Sequence, residues 1–162
     1  DIGTGTGGLL PVIKEHEPRF VLGIDLSMVM LQKAIRKYPD MADHELSVAQ
    51  ADALLLPLKS SMFDVVFCHG VFPHLFDTST ALKDIWRVLV PGGRIVISHA
   101  IGREKVNAIH SHHTSAILRD DLLPSGEELV NILERNGWEV FSCEDKENFY
   151  LVSASKPVEQ NY

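Results

Sequence analysis

Asp1-Ile2-Gly3-Thr4-Gly5-Thr6-Gly7-Gly8 sets an acid ahead of glycines at every second position. That run suits a strand-to-helix turn with a nucleotide-like ligand lying on its backbone. Glycine tolerates positive φ and has no Cβ to hold a ligand away. A helix that follows such a turn presents unpaired N–H groups and a positive dipole end.

Two spacings coexist in it. Gly3, Gly5 and Gly8 fit the dinucleotide pattern G-x-G-x-x-G, whereas Gly3, Gly5 and Gly7 with Asp1 fit the D-x-G-x-G-x-G pattern of S-adenosylmethionine sites. Either needs a strand–turn–helix context and an acid roughly 20 residues on. Asp25 supplies that acid for both, and a tight turn without a ligand is the remaining alternative. Asp25 closes the apolar run Phe20-Val21-Leu22-Gly23-Ile24, so its carboxylate falls at the carboxyl edge of a sheet, where open α/β sheets bind ligands. It could accept both hydroxyls of an adenosine ribose, with Leu26 against the adenine, or serve only as a helix-end charge. Asp52 could accept from an adenine amino group while the Ala53 amide donates to the ring, or Asp52 could be a plain loop cap. His69-Gly70 offers backbone carbonyls to an ammonium.

On the substrate side, Arg103, Asn107, His110 and Thr114 recur at four, three and four residues and share one helical face. The stripe would hold an anionic or polar substrate, with His110 or His99 as base, or else is a solvated polar face. His110, His112 and His113, followed by Asp120-Asp121, raise a metal reading. Consecutive helical residues point about 100° apart and no His-x-x-x-His pair occurs, so no metal site is expected.

The elements that must position these residues follow from composition and periodicity. At 162 residues, 45% hydrophobic and 23% charged, the chain is one ordinary domain. Net charge −7 and a pI near 5.5 argue against nucleic acid, which wants clustered Lys and Arg. No apolar run reaches the ~18 residues of a membrane span, and no signal peptide is visible, so a cytoplasmic location is expected. Cys68 and Cys143 match no metal spacing and read as two buried reduced thiols.

Short apolar strands alternate with amphipathic helices, which predicts a parallel sheet with helices on its faces. Helices are expected over 9–17, after the Ser27 cap, over 79–89, over 103–118, and after the Ser125–Glu128 capping box up to Asn136-Gly137. Strands are expected over 20–25, 46–49, 63–68 and 94–98, with Pro91-Gly92-Gly93 as a breaker. Two further strands, 138–143 and 149–154, flank a polar turn and must be antiparallel. The domain is expected to span 1–155, with 156–162 a frayed tail and no internal repeat.

These motifs, taken together, resemble the class I S-adenosylmethionine-dependent methyltransferases of the small-molecule type. Asp1–Gly7 resembles their first motif, Gly23-Ile24-Asp25-Leu26-Ser27 with Met30-Leu31 their acidic second motif. Asp52-Ala53 with Pro57 and Phe63-Asp64-Val65-Val66 resembles the adenine-side motif and fourth strand. Arg87-Val88-Leu89-Val90-Pro91-Gly92-Gly93-Arg94 resembles the turn into the fifth strand, with Val90 where Lys is usual. The likeness covers residues 1 to about 99. It implies a three-layer Rossmann-like α/β sheet, order 3-2-1-4-5-7-6, mostly parallel with a C-terminal antiparallel hairpin. Asp1 would be the last residue of the first strand, so that strand is largely missing. The chain is therefore expected to be a fragment, with a gap between the strands at 20–25 and 63–68 or with those strands drawn together. The resemblance also implies S-adenosylmethionine as methyl donor, a small-molecule acceptor, and cofactor contacts from Asp1, Gly3, Gly5, Gly7, Asp25, Leu26, Asp52, Ala53 and His69. Val71-Phe72-Pro73-His74-Leu75 resembles an apolar–His–His–Leu stretch with Pro73 in place of the first His, which leaves His74 as a substrate-side candidate beside His99, Arg103, Asn107 and His110. A cofactor-binding sensor or partner subunit is the alternative function, and a nucleotide-binding oxidoreductase a third.

Overall fold

The computed structural model describes residues 1–39, 45–111 and 121–158. Helix α1, Leu10–Lys14, carries Pro11 in its first turn, where a missing N–H costs nothing. It is shorter than the expected 9–17 because the chain leaves the helix after Lys14, and Glu17 turns to φ 51° before Pro18. Strand β1 is Val21–Asp25, and helix α2, Met28–Lys37, starts where Ser27 accepts from the Met30 amide. Strand β2 is Leu46–Gln50 and β3 is Phe63–His69. A 3-10 turn, Phe72–His74, leads to α3, Thr78–Val88, capped by Asp77. Strand β4, Leu89–His99, is followed by α4, Arg103–Ser111. Helix α5, Gly126–Arg135, opens on a complete capping box between Ser125 and Glu128. The hairpin of β5, Glu139–Lys146, and β6, Phe149–Ser155, closes the fold.

The strands form an α/β sheet in two ladders, β2–β1 and β3–β4–β6–β5. The pairs β1–β2 and β3–β4 are parallel, and β6 runs antiparallel to both β4 and β5. Ile2 joins the ladders, bridging Ile24 on one side and Cys68 on the other. Its amide donates to Phe67 O at 2.8 Å, the Ile24 amide donates to Asp1 O at 2.8 Å, and the Thr4 amide returns to Ile24 O at 2.9 Å. Beyond that stitch β1 and β3 stand apart across a groove of about 760 Å³ walled by Leu22, Phe63, Val65 and Phe67. The expected gap between these strands is present.

The core sits beneath β3, β4 and β6. Leu82, Ile85 and Val88 of α3, Ile95 and Ile97 of β4, Val152 and Ala154 of β6, and Leu129 and Leu133 of α5 are all buried in one cluster. Trp86 and Trp138 meet edge to face at 4.9 Å.

Four local expectations are corrected. Pro91-Gly92-Gly93 does not precede a strand but lies inside β4. Gly92 takes φ +78°, and a Cβ on Gly93 would stand 2.8 Å from Val90 O, so the glycines let one strand bulge rather than break. The polar hairpin turn is shorter than read, since β5 runs to Lys146. Lys156 is not part of a frayed tail: its ammonium donates to Trp86 O at 3.0 Å and Leu89 O at 2.9 Å, satisfying carbonyls at the end of α3. Cys143 is exposed, whereas Cys68 is fully buried and burial pushes its thiol up to about 12. The expected helical residues 112–118, with His112, His113 and Thr114, and Asp120 lie outside the described residues, as do 159–162. Among the described residues no helix is long and apolar enough to cross a membrane.

Candidate functional site

The site is built from the ends of three strands. Where β1 stops, the Asp25 carboxylate is held by two backbone amides: Gly5 N donates to Oδ2 at 2.8 Å and Ser27 N donates to Oδ1 at 2.8 Å. The first bond ties the glycine turn to the acid 20 residues on. The second keeps the carboxylate at the mouth of α2. Two amide donors fix its direction and leave each oxygen a lone pair for a ligand. Gly3, Gly5 and Gly7 all take positive φ, at 70°, 55° and 78°.

These residues border a cleft of about 400 Å³, within the ordinary range for small-molecule sites. Ile2, Gly3, Gly5, Asp25, Leu26, Ser27 and Met30 line one side, Ala51, Asp52, Ala53 and Leu54 another, and Gly70, Val71, His74, Leu75 and Phe76 the third. A Cβ on Gly5 would have only Gly3 O within 4 Å, at 3.9 Å, and a Cβ on Gly70 would meet nothing. Both backbones therefore present open space rather than packed protein. The donor set fits an adenosine-bearing cation: a fixed carboxylate, a second carboxylate, bare glycine backbone and apolar walls.

The six candidates Gly3, Gly5, Asp25, Leu26, Asp52 and Ala53 are thus brought together. Three others lie elsewhere. Asp1 borders the groove between β1 and β3. Gly7 is buried where a Cβ would press on Leu10, Tyr38 and Ala34 at 3.2–3.3 Å, so it serves packing between α1 and α2. His69 turns its Nδ1 to Ser98 Oγ at 3.0 Å, and only its neighbour Gly70 reaches the cleft. Asp52 also acts as a loop cap, Oδ1 accepting from Leu54 N at 2.9 Å.

The loop carrying Asp52 is fixed by a device the sequence reading missed. Arg87 on α3 donates to Leu58 O at 2.5 Å and Leu56 O at 2.9 Å, and Asp84 accepts from Leu56 N at 2.6 Å. Arg87 and Asp84 also pair with each other at 2.7 Å. Burial pushes the Asp84 carboxyl up, but Arg87 and the Leu56 amide outweigh it and hold it below the usual range. Leu75 and Phe76 were also missed. Their signal is an apolar pair just before the Asp77 cap, with Phe76 left 85% exposed.

The expected Arg103–Asn107–His110 stripe does not line the cleft, because each side chain is spent on another part of the chain. Arg103 pairs with Asp145 of β5 at 2.9 Å. Asn107 brackets Leu123, donating to its carbonyl at 3.0 Å and accepting from its amide at 2.8 Å. His110 Nδ1 donates to Asp121 O. The His110 ring also lies against His74, with centroids 5.0 Å apart and planes tilted by 35°, and His74 Nδ1 meets Asp121 Oδ2 at 2.8 Å. His74 alone of the five substrate-side candidates borders the cleft. His99 is buried at the end of β4, its Nε2 without a partner among the described residues. Burial, reinforced by His69, His110 and His74, lowers its pKa to about 4, so the ring is neutral near pH 7. Among the described residues no group of His, Cys, Asp or Glu is arranged to hold a metal.

Comparison with known proteins places this geometry. A family model described as a methyltransferase domain matches residues 1–97, and the chain belongs to that family. It is 40% identical over 98 residues to the demethylmenaquinone methyltransferase of Thermus thermophilus, covering 60% of this chain and 44% of that protein. It is 30% identical over 149 residues to an O-methyltransferase of Pyrenophora dematioidea, covering 90% of this chain and 55% of that protein. The chain thus spans about half the length of these curated relatives. A crystal structure of a SAM dependent methyltransferase from Aquifex aeolicus superposes with TM-score 0.78 at 23% identity, over 96% of this chain and 80% of that one. The likeness in fold is to Rossmann-like methyltransferases.

Proposed function

We propose that this chain binds S-adenosylmethionine in the cleft and directs its methyl group to a small-molecule acceptor by direct displacement. The observation that carries the reading is the Asp25 carboxylate, oriented by the Gly5 and Ser27 amides and facing a cleft bordered by Asp52. Asp25 would accept the ribose hydroxyls, a charge-assisted pair of bonds. Asp52 and the Ala53 amide would read the adenine edge, with Leu26, Met30 and Leu54 against its faces. The bare backbone of Gly5 would let the chain of the ligand pass at contact distance.

When bound, the donor supplies a methyl group on a sulfonium, already an excellent leaving group. The protein's share is alignment and exclusion of water, and near-attack positioning is worth roughly 7–11 kcal/mol of barrier. Val71, Leu75 and Phe76 form the apolar side on which an acceptor would rest. Calorimetry with S-adenosylhomocysteine tests the cofactor half of the reading. Screening cell metabolites for a gain of one methyl group tests the other half. Absence of binding heat from folded protein would sink the reading.

A further inference from the structure

The geometry points to His74 as the general base of this site, oriented by Asp121, and to an acceptor of the phenol class that enters still carrying its hydroxyl proton. The inference rests on the methyl-transfer reading above and adds the acceptor's chemistry. A carboxylate only accepts, so the 2.8 Å contact with Asp121 Oδ2 requires the proton of neutral His74 to sit on Nδ1. That leaves the lone pair on Nε2, which has no partner among the described residues. The ring borders the cleft, and its side chain is 36% accessible, enough for an acceptor to reach it.

The surroundings hold this arrangement in place. His110 must also carry its proton on Nδ1, because it donates to the Asp121 carbonyl. Its ring lies against His74, with centroids 5.0 Å apart and the planes tilted by 35°. Asn107 grips Leu123 from both sides and so fixes the segment that bears Asp121. The groups facing His74 are therefore His110 from α4, Asp121 from the segment before α5, and His99 from the end of β4.

In the step, the acceptor oxygen forms a bond to the methyl carbon while the bond from that carbon to sulfur breaks. The electron pair of the broken bond stays on sulfur, giving a neutral thioether. The acceptor's proton passes to His74 Nε2, and the imidazolium is paired with Asp121 until the proton leaves to water. A base is useful only where the nucleophile arrives protonated. Val71, Leu75 and Phe76 give the same wall an apolar surface suited to an aromatic ring. His74 is the catalytic residue and Asp121 the positioning one.

The test has two readouts on the full chain. The first is the nitrogen NMR pattern of 15N-labelled histidine, with His74→Gln for assignment. Wild type at pH 8 is expected to show His74 protonated on Nδ1, and Asp121→Asn to lose that pattern while Asp121→Glu keeps it. A proton on Nε2 in wild type, or an unchanged pattern in Asp121→Asn, overturns the pairing. The second is transfer of labelled methyl from S-adenosylmethionine to phenol and to 4-nitrophenol, the latter largely ionised at pH 8. His74→Gln should slow transfer to phenol by about 10²- to 10⁴-fold and to 4-nitrophenol by less than tenfold. Equal losses for both, no loss for either, or no methylation of either by wild type overturns the proposal. S-adenosylhomocysteine binding heat, measured alongside, separates these outcomes from failure of the cofactor reading, and the NMR pattern decides the pairing in either case.

Discussion

Gly5 N and Asp25 Oδ2 lie 2.8 Å apart, and this bond closes the glycine turn onto the end of β1. The acid is thereby a structural tie as well as the proposed ribose ligand. Asp25→Ala is expected to weaken S-adenosylhomocysteine binding by roughly 10- to 150-fold, the equivalent of about 1.5–3 kcal/mol. Asp25→Asn keeps one oxygen and the shape, and should fall between wild type and Asp25→Ala. Calorimetry on the three proteins checks the order.

Gly3 has the tightest surroundings in the turn. A Cβ there would stand 2.3 Å from Val71 Cγ2, at φ +70°. Gly3→Ala should destabilise the protein by about 1–3 kcal/mol in urea unfolding, from overpacking and the strained φ together. Adding Val71→Ala should recover part of the loss, since it removes the clash but not the strain. No recovery would mean that backbone conformation alone sets the cost.

The hold of Arg87 on Leu56 and Leu58 makes a different kind of prediction. Arg87→Ala should raise the amide exchange rates of residues 52–58 more than those of β3 or β4, because it frees that loop specifically. S-adenosylhomocysteine affinity should drop with it. A uniform rise in exchange would show global destabilisation instead.

His99 links stability to pH. The unfolded chain takes up this proton near pH 6.5, whereas the folded chain resists it until about 4. Falling pH across that window therefore favours the unfolded chain. The penalty at pH 4.5 relative to pH 7 is about 2–3 kcal/mol. His99→Phe should abolish that part of the acid loss, which urea midpoints at the two pH values will show. An identical pH slope in wild type and variant would remove His99 from the account.

Much of this was legible because it is local or follows a short spacing. Asp25 closes an apolar strand, Ser27 and Ser125 cap their helices, and the glycines precede α1. Each is set by neighbours within a few residues. The misread residues have partners far along the chain. Arg103 finds Asp145 42 residues away, and Asp84 finds Leu56 28 residues away. Periodicity places Arg103, Asn107 and His110 on a common face, but it carries no information on what that face meets. Asp121 was legible as an acid and not as a partner of His74, 47 residues earlier. Pro91–Gly93 shows the same limit within a strand: the residues that break a helix also allow a bulge, and only the pairing partner Lys156 decides between them.

Among the described residues Ile2 alone bridges both ladders of the sheet, and the cleft opens directly beside it, with Asp25 and Asp52 on one ladder's side and Gly70 and His74 on the other's. A molecule spanning that seam works as a latch. It adds a further fastening beside the backbone stitch at Ile2. The binding energy then goes partly into mechanical coherence, which raises the melting temperature and sharpens the unfolding transition as ligand is added.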